Sequence, residues 1–412
     1  MNEQPSMAHR QAKSSELNES ESYLTVNAGS SSIKFALFQA GDRLERKLCG
    51  KIDRIGLGGT NLTIVNSATK QTDTQGISTP NHLTAAEFLI ARLEKLNIFP
   101  SIRAIGHRVV HGMNHTEPEL VTEELLKELN RISSFAPEHL PREIELIQSF
   151  RKRHPKLPQV ACFDTSFHAR MPRVAKILPI PRRFEAQGIR RYGFHGLSYS
   201  YLMDGLIQLG DKAGAAGSVI LAHLGNGASM AAVRDGICID TTMAFTPAAG
   251  LPMSTRSGDL DPGLVNYLSV TGKITGAQFD QMINRESGLL GISETSSDMR
   301  DLLGAEAGDT RAAEAVAFFC YQAKKQIGAY AAALGGLDTL VFSGGIGENN
   351  PSIRARICDG LGFLGIELNE LRNAKQEPLI SMDASRVQVR VIPTNEELMI
   401  ARSTQTKLKS CP

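Results

Sequence analysis

Short apolar runs alternate with clusters of small polar residues along this chain, and one such pattern occurs twice. Leu24 to Val26 and Ile33 to Phe38 are strand-like, and Asn27-Ala28-Gly29-Ser30-Ser31-Ser32 between them has the composition of a tight reversal. Roughly two hundred residues later, Val219 to Leu224 and Met230 to Val233 flank Gly225-Asn226-Gly227-Ala228-Ser229. The recurrence predicts two related halves that each offer a loop to one ligand; two unrelated hairpins are the alternative.

Other segments fill in an α/β chain. Leu48 to Val65 holds strand-like pieces broken by Gly56, Gly58 and Gly59, which fits an antiparallel extension of the first sheet. Phe88, Leu89, Leu93 and Leu96 recur at helical spacing, predicting a helix over Thr84 to Leu96. Thr122 to Ile132 reads as an amphipathic helix with Thr122 as cap and Glu123 and Glu124 in its first turn; another begins near Pro141. Ala104 to Gly112 is a strand carrying Arg108 and two histidines, where an edge position or a satisfied pair is the usual reason for charge. Gln159 to Phe163 is a buried-type strand ending in Asp164, an acid that either caps the next helix or serves metal or phosphate chemistry.

Toward the C-terminus, Arg190 to Gly196 and Thr246 to Pro262 are glycine- and proline-punctuated loops, the second carrying Arg256. Thr310 reads as the cap of an alanine-rich helix to Leu334, closed by Gly335-Gly336. Leu340 to Phe342 is a short strand, and the glycine-rich Ser343 to Asn350 leads to a helix at Pro351. Such a turn lets backbone approach a nucleotide, although it matches neither of the two common glycine-rich fingerprints. Val387 to Ile392 is a strand, and Thr394 with Glu397 reads as the capping box of the last helix. That leaves Glu396 either to favour the helix terminus or to face a metal.

Composition narrows the class. The length, 412 residues, allows two domains, and 42% hydrophobic with 21% charged residues is ordinary globular usage. A net charge of +2 gives no reason to expect nucleic acid, and the Arg151-Lys152-Arg153 cluster fits a solvated helix end. Six scattered cysteines without a CxxC pair read as reduced, mostly buried thiols. Without a membrane span or secretory leader, the expected location is cytoplasmic, with residues 1–22 a mobile polar tail. As for chemistry, three serines, a glycine and Lys34 could turn hydroxyls, backbone N–H groups and one positive charge toward a phosphate; a decorated surface hairpin has the same composition.

Nine motifs in order resemble those of the acetate kinases, the acetokinase family within the superfamily of sugar kinases, heat-shock ATPases and actin. They run from Val26 to Lys34, Gly106 to Gly112, Phe163 to Thr165, Tyr192 to Gly196, His223 to Gly227, Thr255 to Asp259, Ser296 to Asp298, Gly345 to Asn349 and Pro393 to Glu397. The resemblance implies two duplicated ribonuclease-H-like domains with the actin-like ATPase fold, residues 23–165 plus 394–412 and residues 166–393, and an active site in the cleft between them. It implies ATP and acetate, or another short-chain carboxylate, as substrates, with Mg²⁺ as cofactor and Mn²⁺ as its substitute, and a homodimer. Asp164, His195 and Arg256 would be catalytic, Arg108 would hold the carboxylate, and Val110, Phe194 and Pro247 would line the acyl pocket. Asn27 and Glu396 would serve the metal. Lys34 with His223, Leu224, Gly225, Asn226 and Gly227 would take the phosphates, and Asp298, Met299, Arg300, Gly345, Ile346, Gly347, Glu348 and Asn349 the adenosine.

The chemistry fits those roles. A carboxylate nucleophile is already ionised, so the task is to hold two anions in line against their repulsion, which needs positive charge and desolvation. Asp164 would then orient a metal, water or an arginine rather than abstract a proton. Several positions depart from the family pattern, among them Leu197 and, ahead of Arg256, Ala249, Pro252 and Ser254. Glu138 stands where a leucine lines the acyl pocket and would have to pair with an arginine, point away or reshape the pocket; Tyr199, Met113 and Asn114 also differ. A propionate or other short-chain carboxylate kinase is the near alternative, and an actin-like or chaperone-like ATPase switch with no acyl acceptor is the alternative of another class.

Overall fold

The computed structural model describes residues 21–410 except 30, 42, 57 and 211–215, so residues 1–20 of the expected tail, Ser30 of the first tip and Cys411 lie outside the described residues, while Ser22, read as the end of that tail, is buried and opens the first strand. Two sheets organise the rest. The first runs β5-β4-β3-β2-β1-β6-β8-β7, from β1 (Ser22–Ala28), β2 (Ser32–Gln39), β3 (Glu45–Asp53), β4 (Asn61–Asn66), β5 (Thr72–Gly76), β6 (Ile102–Val109), β7 (Glu119–Leu120) and β8 (Gln159–Phe163). The second runs β11-β10-β9-β12-β13, from β9 (Ser218–Leu224), β10 (Ala228–Arg234), β11 (Ile237–Thr241), β12 (Thr339–Ser343) and β13 (Gln388–Val391).

One plan underlies both sheets. In each, an antiparallel meander contributes its first strand to the centre, where two further strands join it in parallel: β1 pairs with β6 and β6 with β8, as β9 pairs with β12 and β12 with β13. Central strands covered on both faces are largely apolar, and β1 and β8 are buried at every position, with Thr25 and Asn27 the polar residues inside β1. The tip between β1 and β2 and the tip between β9 and β10 therefore occupy matching places. By contrast, β5 is exposed at every residue, an edge strand with no apolar alternation for a sequence pattern to find.

Helices cover the sheets. The helix His82–Lys95 starts at Asn81, which forms a capping box with Thr84, and buries Leu89, Ile90 and Leu93 against the first sheet beside Phe150. The helix Thr310–Leu334 turns Val316, Phe319, Ile327 and Leu334 onto Ile220, Leu340 and Phe342 of the second. Cutting Phe319 back to alanine would cost about 3–5 kcal/mol, the usual loss for a buried aromatic. Its N-cap is Asp309, which accepts from the N–H groups of Arg311 and Ala312, and not Thr310; Gly335 closes it in a left-handed conformation as expected.

The last helix, Glu396–Lys409, returns to the first sheet. There Gly106 is obligatory, because a Cβ would overlap Thr404 and Ile400. Arg402 ties the same helix to Asp204 of the helix Gly196–Gln208 at 3.0 Å. The described cysteines are free and, except Cys49, buried. Among the described residues no helix is long and apolar enough to cross a membrane.

Candidate active site

Both tips open onto one cavity of about 760 Å³ between the sheets. From the first sheet come Asn27, Gly29, Ser31, Ser32, Lys34 and Arg108; from the second come His223, Gly225, Asn226 and Gly227; His195, Asp298 to Arg300, Gly345, Ile346, Glu348, Asn349 and Glu396 complete the wall. Most of the residues singled out from sequence thus meet in one place. Seven of them do not line it. Asp164 lies behind Arg108, Leu224 is buried at the end of β9 and Gly347 inside the short helix Gly344–Asn349, Val110 and Phe194 belong to the core, and Pro247 and Arg256 stand one layer back.

Charge concentrates on the first sheet. Arg108 projects from β6 and places Nε and Nη2 on Asp164 Oδ2 at 2.9 and 2.5 Å, while Nη1 reaches Asn27 Oδ1 at 3.3 Å. Asn27 Nδ2 donates to Glu396 Oε2 at 2.9 Å. Burial works against the charge of Arg108, but Asp164 and then Glu396 outweigh it and push its pKa up. Burial pushes Asp164 upward against the pull of Arg108. Burial also opposes ionisation of Glu396, yet Arg108, His223 and Lys34 hold it below the usual carboxylate range.

The second sheet contributes neutral groups. His223 on β9 bonds through Nδ1 to Ser198 Oγ at 2.8 Å, and Ser198 bonds Thr394 Oγ1 at 2.8 Å. His195 stacks on it with ring centroids 4.3 Å apart. The His195 backbone is left-handed, with φ of 59°, an uncommon conformation for a side-chain-bearing residue and one that concentrates at functional sites. Burial, reinforced by His223, Arg108 and Arg256, holds His195 well below its ordinary pKa, so the ring is neutral. Glycine at 227 keeps the space open: a Cβ there would stand 3.2 Å from His195 Nε2 and 4.0 Å from Arg256 Nη1. Arg256 is held by its loop, Nη1 donating weakly to Pro247 O at 3.5 Å, and the same loop is tied to the tip by Ser254 N donating to Asn226 O at 3.2 Å. Burial and then Arg108 lower its pKa, and among the described residues no carboxylate pairs with it.

Several groups escaped the sequence reading. Lys51 and Asp53 reach the cavity from β3, where Lys51 pairs in register with Lys34; that neighbour relation exists only once β2 and β3 align. Thr394 and Glu397 do not form the expected capping box. Asn395 caps the last helix by accepting from Leu398 N, which frees Glu397 to face the cavity with Oε1 buried and without a hydrogen-bond partner. Glu348 is a staple as well as a wall residue, since Oε1 accepts from Gly344 N at 2.8 Å and Thr394 N at 3.0 Å. The fully buried Arg354 holds the glycine-rich segment by donating to Gly347 O and Glu348 O, a role no local pattern announces. Glu138 pairs with Arg285, one of the three ways a carboxylate there could be accommodated. Asp298 caps the helix Met299–Ala305 and grips Arg300 beside the cavity.

Comparison with known proteins agrees with this geometry. The model of the acetokinase family matches residues 22–402. An acetate kinase of Methylocella silvestris is 42% identical over 394 residues, 92% of this chain and 96% of the relative. The crystal structure of an acetate kinase from Porphyromonas gingivalis superposes with a TM-score of 0.84 at 35% identity, covering 94% of this chain and all of that one. A propionate kinase from Francisella tularensis superposes with a TM-score of 0.87 at 36% identity, covering 94% and 99%.

Proposed function

The chain belongs to the acetokinase family, and from that membership we infer that it transfers a phosphoryl group from ATP to acetate, releasing acetyl phosphate and ADP, and runs the reverse reaction with the same groups. It is an α/β protein of two duplicated ribonuclease-H-like domains. The observation that carries the site assignment is Arg256, a partly buried guanidinium with no carboxylate partner among the described residues, set beside neutral His195 and across Gly227 from the cavity. A buried cation without a counter-ion is costly unless an anion completes the site. In this reading Arg256 and a donor from His195 stabilise the equatorial oxygens of the moving phosphoryl group, while Arg108, oriented by Asp164, takes the acetate carboxylate. Val110, Phe194 and Pro247 would close around the methyl group. The γ-phosphate would lie between the two tips and the adenosine against Asp298 to Arg300 and Gly345 to Asn349.

Mg²⁺ fits the residues present. Among the described residues no three His, Cys, Asp or Glu side chains cluster as a metal cage, but Mg²⁺ is usually held by one or two carboxylates, waters and substrate phosphates. Glu396 and Asn27 would hold it, with the orphaned Glu397 Oε1 as a further oxygen. When bound, the ion neutralises phosphate charge. The domain division at residues 165 and 393 is supported by the return of the last helix to the first sheet. A homodimer is supported by the helix Gly263–Thr271, which leaves Val265, Tyr267 and Val270 exposed; a monomer in sedimentation velocity would overturn it. The substrate test is trapping of acyl phosphate as hydroxamate with acetate, propionate and butyrate in turn. The highest kcat/KM is expected for acetate; ATP hydrolysis independent of any acid would instead favour an ATPase switch.

A further inference from the structure

Behind His195 lies a chain of hydroxyls that the phosphoryl-transfer reading does not use. His195 Nδ1 sits 2.8 Å from Ser229 Oγ, and Ser229 Oγ is in turn hydrogen-bonded to the Tyr199 hydroxyl. Ser229 and Tyr199 are both fully buried. Tyr199 lies in the first turn of the helix Gly196–Gln208, whose N-cap is His195, and the two rings stand edge to face with centroids 6.5 Å apart. Ser229 reaches them from β10, opposite His223 in the register.

Counting hydrogens gives this chain a direction. A hydroxyl donates once, and the Tyr199 hydroxyl has Ser229 as its hydrogen-bond partner. Were Ser229 to donate to Tyr199, the phenolic hydrogen would be left in the core without an acceptor, at a cost of about 1–3 kcal/mol. Tyr199 therefore donates to Ser229, Ser229 donates to His195 Nδ1, and the ring hydrogen of the neutral imidazole falls on Nε2. That nitrogen points to Gly227 and the cavity.

We propose that Tyr199 and Ser229 are positioning residues that lock His195 in the tautomer carrying its hydrogen on Nε2, so that the ring presents a donor, not a lone pair, to the transferring phosphoryl group. The proposal rests on the placement of His195 at that group. In the opposite tautomer a lone pair would face phosphate oxygens and repel them. The burial that keeps the ring neutral makes the lock necessary, because an imidazolium would donate from both nitrogens regardless.

The test is a long-range ¹H–¹⁵N spectrum of the full-length protein labelled at histidine, with the His195 signals assigned by their loss in His195→Gln. The wild type is expected to show Nε2 protonated and Nδ1 bare near neutral pH. Ser229→Ala should move the ring toward a tautomer mixture and lower kcat about 10- to 100-fold with KM for both substrates within about twofold. Tyr199→Phe, close to isosteric and expected to fold even if Ser229→Ala does not, should lower kcat about 3- to 10-fold, and Ser229→Thr should restore the tautomer. A wild-type ring protonated on Nδ1 or on both nitrogens overturns the lock, as does an unchanged tautomer in both variants. A shifted tautomer with unchanged kcat upholds the lock and overturns the placement of His195 at the phosphoryl group.

Discussion

The two tips facing the cavity share a frame and differ in electrical character. Asn27 and Lys34 pair across β1 and β2, as His223 and Ser229 pair across β9 and β10, each couple beside its glycine-containing reversal. In the first, Lys34 is exposed and Asn27 joins a network of Arg108, Asp164 and Glu396. In the second, Ser229 is buried and the groups around it are imidazoles and hydroxyls held neutral by desolvation. A duplicated backbone thus carries an ionised network beside one tip and neutral rings and hydroxyls beside the other. Arg256 is a cation set beside these neutral groups by an irregular loop.

Removing each arginine in turn breaks the comparison most severely. On the proposed role of its charge at the transition state, Arg256→Ala should lower kcat about 10³-fold with KM for acetate changed only a few-fold. Arg108→Ala should raise KM for acetate and also destabilise the fold by about 3–5 kcal/mol, because Asp164 is left buried without its partner. Steady-state kinetics with urea unfolding separates the two; an unchanged kcat in Arg256→Ala, or an unchanged midpoint in Arg108→Ala, would contradict the division of labour.

A smaller effect sharpens the charged side. Glu143, buried behind Arg108, accepts from Val110 N at 2.9 Å and leaves Oε1 without a partner. Burial, opposed by Arg108, pushes its pKa up to about 8. A carboxyl whose folded pKa lies above its unfolded value binds more protons folded than unfolded, so its contribution is lost as pH rises from the usual carboxylate range through 8. Glu143→Gln does not titrate and keeps an acceptor for Val110. The wild-type Tm should therefore fall relative to the variant by about 2–4 °C between pH 5 and pH 8. A flat difference would mean that Glu143 is ionised throughout.

The paired tips were legible because strand and reversal patterns are local: a few apolar residues, then glycine, asparagine and serine. The same locality explains the failures. Thr394 and Glu397 satisfy the spacing of a capping box, yet Asn395 caps the helix, because Thr394 is claimed by Ser198 and Glu348 from distant segments. Lys51 looked like any polar residue of a meander until register set it beside Lys34. Arg354 carries no signal in its neighbours, since its partners are carbonyls and Asn373 brought in by the fold.

By itself the sequence determined two glycine-tipped hairpins, the helices that flank them and the set of residues able to bind anions, since periodicity and turn chemistry act over a few residues. Only the tertiary structure decided which groups stand together and in what ionisation: Asn27 with Glu396, Arg108 with Asp164, His195 with Ser229. Those choices depend on burial and on contacts between remote parts of the chain. Desolvation and close charges set pKa and hydrogen-bond direction, and neither exists until the two sheets enclose the cavity.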